Sequence, residues 1–338
     1  MDTSTEQAVA PRKPREKKES TVSVVAAGIA NVVIAVSKAV VGTITGSSAM
    51  ISEAIHSFVD TGNEVLILYG LKRSRKAPDA EHPYGYGSEL FFWCLVVAIL
   101  IFALGGGLSI WHGVETIVAN DMAALAQSPI PNYVVIAIAA VAEGTSLGIA
   151  LKQLNANRGE RSIMEYIHYC KDPSEYTVVL EDSAAEAGLL FAFLGVFLSH
   201  HLQMPWIDGL ASVLIGALLV VVAIVLLSET KGLLIGEGLT VKETARLRSI
   251  VDRTPGVTAC GKILTVYLGP KSLEIAIDVD FADGLDEQDV MRTTDTIESR
   301  IRASFPEADR ITIESQSAED VAKGRREDER LAREASKD

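Results

Sequence analysis

Long apolar runs broken by a few charged positions fill the first two thirds of the chain. The last third is polar, with short alternating stretches. About 20 apolar residues at 1.5 Å rise each cross a hydrocarbon core of about 30 Å. By that measure residues 21–45, 48–70, 88–113, 132–152, 178–199 and 206–229 read as six spans. Past residue 232 the period changes. Residues 240–254 have a helical pattern ended by Pro255-Gly256. Residues 257–268 and 272–281 read as strands around the turn GPKS, 285–304 as a helix, and 309–315 as a last strand. The order αββαβ implies a small two-layer domain. The expected fold is an α-helical membrane protein: a six-transmembrane-helix bundle (21–231) with a C-terminal cytoplasmic α+β domain (232–316). Residues 1–20 read as a disordered arm, and 317–338 as a charged tail, a frayed helix or disordered.

Charge gives the orientation. Lys and Arg gather in the arm (Arg12, Lys13, Arg15, Lys17, Lys18), after the second span (Lys72, Arg73, Arg75, Lys76) and around the end of the fourth (Lys152, Arg158, Arg161, Lys171). The connections after the first, third and fifth spans hold none. Cytoplasmic loops carry this excess, so both termini are expected in the cytoplasm. Pro129 and Pro131 are expected to stop any helix between 114 and 130, and the polar stretch 153–177 has room for one short amphipathic helix.

Composition then narrows the function. The chain has 338 residues, 48% of them hydrophobic, and a formal net charge of −13. An acidic balance argues against nucleic acid as a partner. Cys94, Cys170 and Cys260 are far apart and form no CxxC, which disfavours a disulfide framework or zinc ribbon. HExxH, GxSxG and a phosphate-cradling glycine loop in the right context are missing, so an enzyme is disfavoured. The arm has no signal-peptide pattern, and its acidic residues disfavour a transit peptide. A bacterial inner membrane is the expected location.

The second span carries the chemistry. Glu53, His56, Asp60 and Glu64 interrupt it, each costing at least roughly 2.5–3.5 kcal/mol in hydrocarbon if unpaired. His56 and Asp60 are four apart and share a helix face. Together they make half of a tetrahedral metal site, or a simple intramembrane pair. In the fifth span Asp182 and Glu186 repeat the spacing, with Glu181 about 100° away from Asp182. Glu181 is a ligand or a cap at the helix start, and Glu186 a ligand or a partner of Lys38 or Glu64. Lys38 either snorkels outward or pairs inside, and Glu143 stands in a small, apolar run of the fourth span. One imidazole with several oxygens suits Zn²⁺, Mn²⁺, Fe²⁺ or Co²⁺. The metal is a substrate here; no cofactor is expected.

The run HSFVD in the second span, HPYGYGSE after a basic loop, six spans and the small terminal domain together resemble the cation diffusion facilitators. The resemblance covers about residues 21–316. It implies export of a divalent metal, most simply Zn²⁺, by proton antiport. It also implies a homodimer with a ferredoxin-like cytoplasmic domain at the dimer interface, and therefore a dimerisation role for residues 232–316. The family's second-span motif falls on His56 and Asp60. Its fifth-span motif falls on Asp182 and on Val178, which cannot bind metal. The run DPSEYTVVLEDSAAEAG is similar to the branch of zinc transporter nine, which has a Glu-Asp pair there. The expected ligands are therefore His56, Asp60 and Asp182, with the fourth open among Glu181, Glu186 and water. Asp79, His82 and Glu89 form a weaker second candidate, set against a plain turn and helix cap. Expected partners are divalent metal ions, protons, the lipid bilayer and a second copy of the chain. The alternatives are Mn²⁺, Fe²⁺ or Co²⁺ as cargo, or a non-transporting membrane scaffold with a degenerate site.

Overall fold

The computed structural model describes residues 21–159 and 161–335; the arm read from residues 1–20 lies outside the described residues. Among the described residues eight α-helices precede the terminal domain: α1 (Thr21–Thr45), α2 (Ser48–Ser74), α3 (Glu89–Leu100), α4 (Leu108–Ala119), α5 (Ile130–Arg158), α6 (Ile163–Tyr169), α7 (Pro173–Leu202) and α8 (Trp206–Leu234). A π-helical stretch, Ile101–Gly107, joins α3 to α4 in one rod from Glu89 to Ala119. Among the described residues five helical stretches are long and apolar enough to cross a membrane: Gly28–Thr45 in α1, the α3–α4 rod, α5, α7 and α8. The intervening helix α2 is long enough, but its mean hydropathy is lowered by Glu53, Asp60, Glu64, Lys72 and Arg73.

The helices overrun the spans read from hydropathy. α2 continues to Ser74, α5 to Arg158 and α8 to Leu234, and α7 begins at Pro173. Helical hydrogen bonding does not stop where apolar residues stop; the ends carry the charged residues into water. Pro129 and Pro131 do not keep 114–130 free of helix. The rod runs on to Ala119, a 3₁₀ turn covers Met122–Ala126, and Pro131 sits in the first turn of α5, where its missing N–H costs nothing. The short helix expected within 153–177 is α6.

Glycine permits a close helix contact. A methyl group on Gly113 would meet the carbonyl oxygen of Gly209 at 2.7 Å, and one on Gly216 would meet that of Gly106 at 2.7 Å. α4 and α8 therefore pack backbone to backbone, as small residues permit where no hydrophobic effect drives helices together. Met50, Leu90, Leu189, Ile215 and Leu219 fill the bundle's apolar centre.

The terminal domain follows with α9 (Val241–Asp252), β1 (Val257–Gly269), β2 (Ser272–Phe281), α10 (Glu287–Ser304), β3 (Ala308–Ser315) and α11 (Ala318–Ala335). A capping box between Thr240 and Glu243 starts α9. β2 is central, antiparallel to β1 and parallel to β3. The alternation in SLEIAIDVDF buries Leu273, Ile275, Ile277 and Val279 against Leu247 and Val251 of α9 and Ile297 and Ile301 of α10. The αββαβ order matches the expectation. The charged tail differs from it: residues 318–335 form a helix docked on the sheet. Val321 is buried, Arg248 pairs with Asp328 at 2.5 Å, and the backbone N–H of Ile263 donates to Asp328 at 3.0 Å. A hydropathy count misses this because one valine and one aspartate make the anchor.

The domain sits directly on the bundle. Phe91 of α3 and Leu233 of α8 belong to the domain's core, and Ser88 donates to the carbonyl of Leu268 at 3.1 Å. Lys171 donates to Glu237 at 2.5 Å across the same junction.

Replacing Asp328 by Ala should leave Arg248 and the Ile263 amide without their acceptor. We expect the opening free energy of α11 and the edge of β1 to fall by about 1–3 kcal/mol, read by hydrogen exchange of the full chain. Unchanged protection there would contradict the docking of α11.

Candidate metal site

Four helices converge on the ionisable residues of α2. Two features hold α2 in place along its axis. At its start, Asp208 of α8 accepts from the Ser47 hydroxyl at 2.8 Å, from the Ala49 N–H at 3.2 Å and from the Ser48 N–H. A carboxylate on exposed helix amides suits the positive end of the dipole. Further in, Ser52 and Ser212 share a hydrogen bond of 2.5 Å.

One turn deeper lies Lys38 of α1, with no exposed surface. It does not snorkel. Its three N–H groups donate to Glu53 at 3.0 Å, to Ser57 at 2.9 Å and to Glu143 at 2.8 Å. All three ammonium protons are used, as a buried amine requires. Glu53 is also fully buried, while Glu143 keeps 17% of its side chain exposed. The second oxygens of Glu53 and Glu143 are buried without a hydrogen-bond partner. Lys38 thus ties α1 to α2 and α5.

Beside this network is a small cavity of about 40 Å³. Asp60 and Glu64 of α2, Glu143 of α5 and Asp182 of α7 line it, with Asn31, Ser57 and Ser146. Asn31 donates to Glu64 at 3.1 Å, and one oxygen of Asp182 is buried without a partner. The volume holds one water or a small ion.

The cavity brings together Asp60 and Asp182, the carboxylates expected from different spans. Other candidates lie apart from its wall. His56 is 3% exposed and buried in the bundle, one turn before Asp60. Glu181 is not a cap at the helix start: α7 begins eight residues earlier, with Asp172 as its N-cap. Glu181 is buried and accepts from Asn63 of α2 at 2.7 Å. Glu186 turns to the backbone of Gly144, with one oxygen buried and unpartnered, and Lys38 chooses Glu53 and Glu143 over it. Val178 is partly exposed on α7, outside the cavity. As they stand, no three His, Cys, Asp or Glu side chains among the described residues are grouped to hold a metal ion. Glu143 was visible in the sequence as a lone charge in an apolar span, and helix packing supplies its role.

The loop residues of the weaker candidate have protein partners. Asp79 accepts from Lys76 at 2.9 Å, from Tyr86 at 2.7 Å and from the backbone N–H groups of Glu81 and His82. The bond from Lys76 foremost, then those from Tyr86 and the His82 amide, hold its carboxyl well below the usual carboxylate range. His82 stacks on Tyr86, and Glu89 accepts from Arg73 at 2.8 Å and Trp93 at 3.0 Å. The arrangement is a braced turn leading into α3.

Comparison with known proteins adds an independent finding. Residues 24–235 match the model of the cation efflux transmembrane domain. The chain is 32% identical over 256 residues to Metal tolerance protein C4 of Arabidopsis thaliana, covering 74% of this chain and 54% of that protein. It is 33% identical over 243 residues to the proton-coupled zinc antiporter SLC30A9, mitochondrial, of Homo sapiens, covering 70% of this chain and 42% of that protein. It is 28% identical over 247 residues to the magnetosome protein MamM of Paramagnetospirillum magneticum, covering 71% and 70%. The chain spans about half the length of the first two relatives.

Removing Lys38 alone should be severe, because Glu53 is then a buried, uncompensated carboxylate. Lys38→Ala is expected to cost about 3–5 kcal/mol, read as a large drop in thermal unfolding temperature in detergent. Adding Glu53→Gln and Glu143→Gln should restore most of the loss; a triple variant no better than the single one would contradict the network.

Proposed function

The chain belongs to the cation efflux family, a family of membrane transporters rather than enzymes, and on that premise we propose that it exports Zn²⁺ in exchange for protons. The supporting observation is the cavity between α2 and α7. It sets Asp60 and Asp182 together inside a helical bundle whose other five long helical stretches are membrane-capable. α2 is then the sixth span, its charges turned to the bundle interior, where intramembrane ionisable groups mark an ion path. Asp60 and Asp182 are the central donors, and His56 joins them by a turn of its side chain toward the cavity. Glu181 and Glu186 flank the site.

Metal and protons compete for the same oxygens. Carboxylates and imidazole bind metal only when deprotonated, so metal affinity falls as protons rise. A site that opens to each side in turn exchanges one for the other. The zinc antiporter SLC30A9 is named as proton-coupled, which supports the same coupling here. Both termini lie in the cytoplasm, on the side of Lys72, Arg73, Arg75 and Lys76, and we assign the chain to a bacterial plasma membrane as a homodimer. The carboxylate-rich wall favours a second cargo reading, Mn²⁺ or Fe²⁺, which prefer oxygen to nitrogen or sulfur more than Zn²⁺ does.

The test uses purified protein in sealed vesicles with a pH-sensitive dye inside. Zn²⁺, Mn²⁺, Fe²⁺ and Co²⁺ are added in turn, to the unmodified chain and to Asp60→Ala and Asp182→Ala. The expected result is metal-dependent proton flux, greatest with Zn²⁺ and lost in both variants. No flux with any metal from folded protein would instead favour a non-transporting scaffold.

A further inference from the structure

Glu143 is the carboxylate that the family pattern leaves without a task. It stands on α5, outside both the second-span and fifth-span motifs. Yet it lines the cavity with Asp60 and Asp182, and it is an electrostatic neighbour of Glu53, Asp60, Asp182 and Glu186 alike. Its two oxygens have separate situations. One is held by Lys38 at 2.8 Å; the other is closed off from solvent and has no hydrogen-bond partner. An unpartnered buried carboxylate oxygen is costly and calls for an explanation, a bound ion being one. The same holds for the unpartnered oxygen of Asp182.

The charge balance points the same way. Asp60, Glu64, Glu143 and Asp182 surround about 40 Å³. Lys38 is the cation beside them, and it already shares its charge with Glu53. These four carboxylates line one small cavity without being grouped to hold a metal as they stand; drawn together, they favour a divalent cation with several oxygen donors over a purely imidazole-based site. The fifth-span motif position Val178 is apolar and does not line the cavity, so it supplies no fourth donor. Glu181, which gives one oxygen to Asn63, and Glu186, which is turned to Gly144, both lie outside the cavity wall.

The geometry points to Glu143 as the fourth metal donor of the transport site, offering its free oxygen to the cargo ion while Lys38 fixes the other. This rests on the reading of Asp60 and Asp182 as the metal site. Lys38 is then a positioning residue: it aims the carboxylate and lowers the repulsion among the wall's charges without touching the metal. The placement also joins a third helix to the site, so binding of the ion draws α5 toward α2 and α7.

The test uses the full chain purified in detergent, with Co²⁺ as the probe. The visible absorption of bound Co²⁺ reports the number and kind of its ligands, and Zn²⁺ competition gives the Zn²⁺ affinity. Glu143→Gln keeps an oxygen for Lys38 but removes the anionic donor. We expect it to change the Co²⁺ band and weaken Zn²⁺ binding by roughly tenfold or more, with Glu143→Asp intermediate. Glu53→Gln alters the same lysine network away from the cavity, and should shift the band clearly less than Glu143→Gln does. If Glu143→Gln binds both metals as the unmodified chain does, while Asp60→Ala loses them, the assignment of Glu143 fails and the site stands. If Glu53→Gln disturbs the band as much as Glu143→Gln, the effect runs through Lys38 and the assignment also fails. If Asp60→Ala keeps full binding, the site reading itself falls. Elution of each variant at the unmodified position on size exclusion, with equal helicity, secures the comparison against misfolding.

Discussion

One buried ammonium holds this bundle in register. Lys38 is fully enclosed among helices, and hydrocarbon offers no water to solvate it, so it must be met by acceptors from its neighbours. Three are present, and they come from two other helices. Glu53 and Ser57 are four apart, hence one turn apart on the same side of α2, and Glu143 comes from α5. The requirement fixes the rotation of α2 about its axis. That rotation in turn decides that Asp60, one turn beyond Ser57, faces the cavity and Asp182. A helix with this many charges is stable in a membrane only when its polar face is enclosed, and the enclosure is what builds the site.

Much of this was legible in the chain. Five membrane-capable stretches stood out by hydropathy. The helix α2, proposed as a sixth span, was legible for the opposite reason: its charges recur at three- and four-residue steps, so they lie along one face rather than around the helix. The strand SLEIAIDVDF gave its buried face directly, because alternation of period two needs no partner to be read. What pattern does not carry is pairing between helices. Lys38 lies 105 positions from Glu143, and no local rule links them. The same holds for Asn63 and Glu181. A capping role for Glu181 was reasonable only while the helix was thought to start at 178, and the true start at Pro173 moves it into the interior. The tail was misjudged for a related reason: α11 is polar by composition, and its docking depends on Val321 and Asp328 meeting β1.

The seating of the terminal domain follows from short side chains as much as from apolar contact. Gly87 and Gly269 approach each other closely, and the Ser88 hydroxyl reaches the carbonyl of Leu268 beside them. The loop that brings Gly87 there is braced by Asp79, Lys76 and Tyr86. Phe91 then enters the domain core from the first turn of α3. Any rotation of that rod must either carry the domain along or expose Phe91. The π-helical stretch at Ile101–Gly107 lies between this attachment and α4, where backbone packing against α8 is tightest. A wider turn with three glycines can absorb local twist without loss of the Phe91 contact at one end or the glycine contacts at the other.

The electrostatics of the cavity bear on why metal and protons should share one path. In a polar, solvated groove, four carboxylates tolerate one another, and a cation gains little by joining them. In a small cavity inside the bundle the repulsion is screened far less, so positive charge must accompany them, whether as protons or as a metal ion. Lys38 cannot fully supply it, since its charge is divided between Glu53 and Glu143 and its protons are committed. The fixed ammonium therefore sets how much additional positive charge the site demands, and a divalent ion or a pair of protons satisfies that demand equally in charge. In the antiport proposed above, exchange of one for the other would change the coordination of Asp60, Asp182 and their neighbours while keeping the net charge of the membrane interior nearly constant. On that proposal, the constancy would let the same cavity face either side of the bilayer without carrying an unbalanced charge through it.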